Sequence, residues 1–270
     1  MIMESKIVFI GAGNMAEAIV SGMVEGGFCA PEKVIMTDVR PERLADLAKE
    51  YGVSTSTDNR TVKNAEIVVL AVKPQMMLDV LKGIAPVIRS ETLIISIAAG
   101  IPAAKIEAVL GGKCRVVRVM PNTPALVGQG ASAIAAGTLA DEADLEVAEA
   151  MLGCVGITVR VAESDLDAVT ALSGSGPAYV FYLLEGMLAA AEKMGLDKAT
   201  ARTLALKTVE GAARLMEDSG ETADVLRAKV TSKGGTTEAA VCSLDKAGVK
   251  EAVVQALLAA QKRSIELSHG

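Results

Sequence analysis

Four apolar residues in a row, Ile7, Val8, Phe9 and Ile10, predict a short strand over 7–10, buried on both faces. A helical spacing follows over 15–25 and stops at Gly26 and Gly27. The same alternation then repeats. Strands are predicted over 34–38, 53–57, 66–72, 92–100 and 115–120, and helices over 41–51, 75–86 and 101–110. Pro41 suits the first turn of its helix, where no backbone N–H is needed. Strands over 130–136 and 156–161, with a helix over 141–152 between them, complete the series. Strands alternating with helices argue for a doubly wound parallel sheet.

From about Ser164 onward the pattern changes, and no convincing strand remains. Helices are predicted over 165–194, 198–218, 222–230, 236–246 and 249–267, the first interrupted by Gly174-Ser-Gly-Pro177. The expected class is α/β: an N-terminal doubly wound (Rossmann) sheet over residues 1–163 and a C-terminal all-helical domain over 164–270. The stretch 178–191 is apolar nearly all round, and such a helix needs cover on every side. About a hundred residues of helical domain supply little cover. A second copy of the chain is therefore the expected partner.

Composition sharpens this picture. Apolar residues make up 51% of the 270, yet aromatics are only 2% and tryptophan is absent, so alanine, leucine and valine do the packing. The formal charge of −6 argues against a nucleic-acid partner, which is held mainly by Lys and Arg on phosphate. Cys29, Cys114, Cys154 and Cys242 form no C-x-x-C pair, and the one histidine is His269, so no zinc spacing exists. The run over 7–10 is too short for a signal peptide, and no stretch reaches the length of a membrane span. The expectation is a cytoplasmic protein with reduced cysteines, no metal and no membrane contact.

Candidate chemistry begins where the first strand ends. Gly11-Ala12-Gly13-Asn14-Met15-Ala16 is G-x-G-x-x-A at a strand-to-helix turn, the dinucleotide-binding fingerprint. Gly11 permits the tight turn, Gly13 lets a pyrophosphate approach the backbone, and Ala16 lets the helix pack on the strand. The helix start favours phosphate charge. Asp38 lies where this fold places the acidic residue that bonds the adenosine ribose, which points to NAD. Arg40, two residues on, suits a 2′-phosphate and points to NADP, so the coenzyme stays open. Lys73 ends the strand over 66–72, placed either to meet a cofactor or to mark the exit to solvent. Small residues at Ala98, Ala99 and Gly100 let a flat ring come close. Pro121 and Pro124 stiffen the loop carrying Asn122 and Thr123. In the helical half, Thr231-Ser-Lys-Gly-Gly-Thr-Thr237 precedes a helix and offers either donors for a carboxylate or a helix cap at Thr236 or Thr237.

Six motifs in order carry a family resemblance over nearly the whole chain. They are Phe9-Ile-Gly-Ala-Gly-Asn-Met-Ala16, Ala71-Val-Lys-Pro74, Ser96-Ile-Ala-Ala-Gly100, Met120-Pro-Asn-Thr-Pro-Ala125, Ser173-Gly-Ser-Gly-Pro-Ala-Tyr-Val-Phe181 and Gly234-Gly-Thr-Thr237. The chain resembles the Δ1-pyrroline-5-carboxylate reductases. The resemblance implies reduction of the cyclic imine to L-proline with NADPH or NADH, the last step of proline biosynthesis. It implies interlocked dimers through the helical domain, often built into larger rings. The cofactor would lie on residues 11–16, with Ala71, Val72, Lys73, Pro74, Ala98, Ala99 and Gly100 near the nicotinamide. The substrate carboxylate would sit on Ser232, Gly235, Thr236 and Thr237, with Thr237 reaching the ring nitrogen. Lys233 departs from the family, which commonly has a proline there. Two alternatives are a β-hydroxyacid dehydrogenase and a dinucleotide-sensing regulator without catalysis. The first calls for a lysine on the helix after a G-x-G turn, and the stretch 174–185 has none.

Overall fold

The structure is a computed structural model that describes residues 3–269. Its strands are β1 (Ile7–Ile10), β2 (Val34–Thr37), β3 (Ser54–Ser56), β4 (Ile67–Leu70), β5 (Leu93–Ser96), β6 (Arg115–Met120), β7 (Gly130–Ala136) and β8 (Gly156–Arg160). They form one sheet in the order 3-2-1-4-5-6-7-8. The sheet helices are α1 (Asn14–Glu25), α2 (Pro41–Tyr51), α3 (Pro74–Ile84), α4 (Ala103–Val109) and α5 (Glu142–Gly153).

β1 is central because its residues have cover on both sides. Phe9 pairs with Met36 on β2 and Val69 on β4, both parallel. Ile7 and Phe9 enter one core layer with α1, and Val8 and Ile10 enter the other with α3. All four are fully buried, each contributing about 1.5–3 kcal/mol of burial. A strand covered on both faces has no polar positions to alternate, hence the unbroken apolar run. The strand order reverses beside β1, with β2 on one side and β4 on the other. Ligands bind at such a switch point, beyond the carboxyl ends of the strands.

The expectation of a wholly parallel sheet needs one correction. β6 and β7 run antiparallel, with Val117 opposite Ala136. The connection over 121–129 holds only a 3-10 turn, Thr123–Val127, and is too short for a crossover helix. β8 returns parallel to β7 through α5.

The interruption expected within the helix over 165–194 is present, and it begins earlier than Gly174. A short α6 (Leu166–Val169) runs into a π-helical stretch, Thr170–Gly174, before α7 (Gly176–Lys193) begins. The helices α8 (Lys198–Ser219), α9 (Ala223–Lys229), α10 (Thr236–Lys246) and α11 (Val249–His269) follow. Contacts divide the described chain into two compact units, one running to Ser175 and including the chain from Ala260, the other Gly176–Ala259. Within the first, Ser264 donates a hydrogen bond to Asp167 and ties down the end of α11. Within the second, α7 packs on α8. Ala191 is the buried residue of α7, and Val180, Phe181, Tyr182 and Leu183 are exposed. Among the described residues, no helix is long and apolar enough to cross a membrane.

Candidate active site

A cleft of about 820 Å³ opens at the carboxyl ends of the central strands. Gly11 turns the chain out of β1 with φ +99°, and its N–H donates to the Thr37 carbonyl at 2.8 Å. A Cβ on Gly11 would lie 2.6 Å from the Ala71 carbonyl oxygen, so no side chain fits. Gly13 differs: nothing lies within 4 Å of where its Cβ would be. It is the N-cap of α1 and makes no side-chain cap, so the first-turn N–H groups stay available for an anion. Asn14, Met15 and Ala16 line the cleft beside it.

Ala12 is not on the cleft wall. It is fully buried, and both its backbone groups are held from behind. Its N–H donates to Asp38 Oδ2 at 2.9 Å, and its carbonyl accepts from Arg43 Nε at 3.0 Å. Arg43 also pairs with Glu17, and the Tyr51 hydroxyl donates to Glu17. Arg43 carries no mark in the sequence that separates it from other basic residues on helix faces. Its role exists only through a contact 31 residues away.

Asp38 and Arg40 both line the cleft at the end of β2. Arg40 donates to Asp38 Oδ1 from its backbone N at 3.1 Å and from Nε at 2.9 Å, and to Oδ2 from Nη2 at 3.1 Å. Arg40 holds the Asp38 carboxyl well below the usual carboxylate range, at about 2; burial opposes this and the Ala12 N–H adds to it. On the other side of β1, Ala71, Val72, Lys73 and Pro74 line the cleft, Lys73 in extended conformation as the N-cap of α3. Ala98 and Ala99 line it after β5. Gly100 does not. It is buried beneath α11, where a Cβ would meet that of Leu267 at 3.2 Å.

Pro121 and Thr123, from the stiffened loop after β6, also line the cleft, and the lining residues that no motif marked are Thr37, Val39, Thr57 and Asn59 near β2 and β3 and Leu126 after β6. Thr37 Oγ1 donates to Asn59 Oδ1 at 2.6 Å. The strand order would have found them, since each lies at or just beyond the carboxyl end of a strand that meets the cleft. Asn122 points elsewhere: Nδ2 donates to the Ser173 carbonyl at 3.1 Å and Oδ1 accepts from the Ala131 N–H at 2.8 Å.

The stretch over 231–237 lies in the second unit. Gly234 turns with φ +71°, and its N–H donates to Glu238 Oε2 at 2.7 Å. The Gly235 N–H donates to the Ser232 carbonyl at 3.0 Å. Gly235, not a threonine, is the N-cap of α10, and it provides no side-chain cap. The capping alternative for Thr236 and Thr237 is thereby removed. Ser232, Lys233 and Thr236 are exposed, and Thr237 is half-buried.

The cleft fits a dinucleotide on three counts. Open space replaces a Cβ at Gly13, the first turn of α1 is uncapped, and the far wall carries the small residues Ala98 and Ala99. A parallel sheet with such a cleft at its switch point, joined to a helical region, defines a dinucleotide-dependent oxidoreductase. Residues 163–267 match the family described as pyrroline-5-carboxylate reductase dimerisation. Residues 6–100 match the family described as NADP oxidoreductase, coenzyme F420-dependent. A pyrroline-5-carboxylate reductase of Methanosarcina acetivorans is 44% identical over 98% of both chains. A solved pyrroline-5-carboxylate reductase of Coxiella burnetii superposes with TM-score 0.91 at 40% identity, covering 98% of this chain and 99% of that one. A pyrroline carboxylate reductase of Plasmodium falciparum, solved with NADP bound, gives TM-score 0.91 at 29% identity, covering 99% of this chain and 100% of that one. The chain belongs to the pyrroline-5-carboxylate reductase family.

Proposed function

We propose that this chain reduces 1-pyrroline-5-carboxylate to L-proline, with NADPH or NADH as the hydride donor, in the last step of proline biosynthesis. The observation that carries the reading is the 44% identity to a reductase of that name over 98% of the chain. The cleft geometry supports it, because the residues present fit the coenzyme that the reaction needs.

The reduced nicotinamide supplies a hydride to the imine carbon. The chain's own task is placement, since a protonated imine is already an electrophile. Gly11 and Gly13 keep the turn open to the pyrophosphate, and the first turn of α1 donates to it. Asp38 and Arg43 hold that turn from behind through Ala12. Ala71–Lys73, Ala98 and Ala99 form the wall for the nicotinamide end. The uncapped start of α10 and the hydroxyls of Ser232 and Thr236 bind the substrate carboxylate, which fixes the ring. Lys233 adds positive charge there, while Glu238 is engaged with Gly234. The Thr237 hydroxyl hydrogen-bonds the ring nitrogen and orients the imine. No strong acid is required when the substrate arrives protonated.

The reading includes a helical substrate and dimerisation domain over 164–270, supported by the dimerisation family's match from residue 163. A second copy of the chain covers the exposed apolar residues of α7, and such dimers assemble into larger rings. A reducing, cytoplasmic setting suits the four free cysteines. Loss of NADPH or NADH absorbance on addition of pyrroline-5-carboxylate, with proline as product, tests the reaction. Coenzyme binding without turnover overturns it. Sedimentation at micromolar concentration tests the assembly, and a monomer there removes the partner.

A further inference from the structure

Asparagine is a favoured cap, and Asn122 stands at the cap position of the 3-10 turn Thr123–Val127, yet its side chain does not cap it. Both ends of the amide go to other parts of the chain. Oδ1 accepts from the Ala131 N–H at 2.8 Å, and Nδ2 donates to the Ser173 carbonyl at 3.1 Å. Asn122 is only 8% exposed, so both bonds are sheltered from water.

The Ser173 carbonyl needs such a donor. In a continuous α-helix it would accept from the N–H four residues on, and that residue is Pro177, which has none. The nearby hydroxyls are already spent: Thr170 Oγ1 donates to the Leu166 carbonyl and Ser173 Oγ to the Val169 carbonyl. The chain here is π-helical, with the Ser175 N–H donating to the Thr170 carbonyl at 2.8 Å. Such stretches are frequent at functional sites. This one lies against the end of β6, where a side chain on Gly174 would collide with Met120.

The neighbours of Asn122 face the cleft. Pro121 and Thr123 line it. Pro121 and Pro124 deny the loop two backbone donors, which raises the weight of a side-chain anchor. β6 lies beside β5, whose end carries Ala98 and Ala99. β2, at the adenosine end, is four strands from β6, about 19 Å across the sheet. The Asn122 link therefore bears on the nicotinamide end of the cleft.

We infer that Asn122 is a positioning residue for that end: it ties the loop over 121–124 to the π-helical stretch and holds Pro121 and Thr123 in place without touching coenzyme or substrate. This inference rests on the coenzyme reading of the cleft and adds a residue that the reading does not use.

Asn122→Ala removes both bonds, and Asn122→Asp keeps the size and the acceptor but loses the donor. Calorimetry with 5′-AMP, which reaches only the adenosine end, gives affinities within about twofold of wild type for both variants. The fluorescence of bound NADPH, which reports the surroundings of the reduced nicotinamide, changes in both. At saturating substrates kcat falls about tenfold or more, the cost of misplacement at the reacting end. The KM for coenzyme moves less than about threefold. A residue with only a structural role would move 5′-AMP and NADPH binding together. Equal losses for the two ligands, or wild-type kcat and fluorescence in Asn122→Asp, overturn the inference. A wild-type protein that binds NADPH but reduces no pyrroline-5-carboxylate sinks the proposed reaction, while the fluorescence change in the variants leaves the role of Asn122 standing.

Discussion

Two helices of this chain start alike and are held very differently. α1 and α10 each begin at a glycine N-cap with no side-chain cap. Each therefore presents first-turn N–H groups to an anion. The turn before α1 sits at the end of a fully buried strand, and its Ala12 peptide is gripped on both sides by charged side chains. The turn before α10 is largely exposed and is held by the Glu238 carboxylate and the Ser232 carbonyl, both local to it. The first is a turn fixed by charged partners from distant parts of the chain, and the second is a turn held by local contacts alone.

Five changes would break or sharpen that contrast, the largest first. Gly11→Ala forces a Cβ to 2.6 Å from the Ala71 carbonyl at a positive φ. We expect about 3 kcal/mol of lost stability in denaturant unfolding, together with loss of coenzyme binding. An unchanged unfolding midpoint would contradict the fixed turn. Gly13→Ala should leave the midpoint alone, since the space there is open, yet weaken coenzyme binding by more than ~tenfold as the methyl meets the pyrophosphate.

Thr237→Ala tests the second turn. Its kcat/KM should fall about three- to tenfold with the melting temperature intact, the effect of one hydrogen bond. Wild-type kinetics would remove its assigned role. A smaller effect concerns acid. The folded pKa of Asp38 is depressed to about 2, so its contribution to stability is present above the ordinary carboxylate value near ~4 and is lost as pH falls from there toward 2. Coenzyme binding should weaken over that window, and Asp38→Asn should flatten the loss. The smallest change is expected at Lys233, an exposed residue. Lys233→Ala should raise the KM for substrate by less than ~threefold, the scale of a solvent-screened charge.

The same contrast explains what the sequence allowed. The buried strands were legible because burial on both faces leaves an unbroken apolar run, and β1 appears as expected over Ile7–Ile10. The helix start at Pro41 was legible from local chemistry, and the one at Thr236 appears where expected but with Gly235 rather than a threonine as its cap. Strand direction was not. β7 reads as a strand either way, and only the length of the 121–129 connection decides that it runs antiparallel to β6. Ala12 and Gly100 belonged to the right motifs, yet one faces Asp38 and Arg43 and the other faces Leu267. Arg43 and the Asn122–Ser173 link depend on partners 31 and 51 residues away, which no local pattern encodes. The residues of the 231–237 turn left carboxylate binding and capping both open and only family resemblance chose between them, because an exposed glycine turn looks the same with or without a ligand.

Transfer of a label from coenzyme to product tests most directly that the two turns serve one reaction. NADPH carrying deuterium at the transferred position of its nicotinamide would be mixed with the protein and pyrroline-5-carboxylate, and the proline analysed by mass spectrometry. The account predicts proline with one deuterium on the ring carbon that held the double bond. Coenzyme bound at the first turn, with no labelled proline formed, would contradict it.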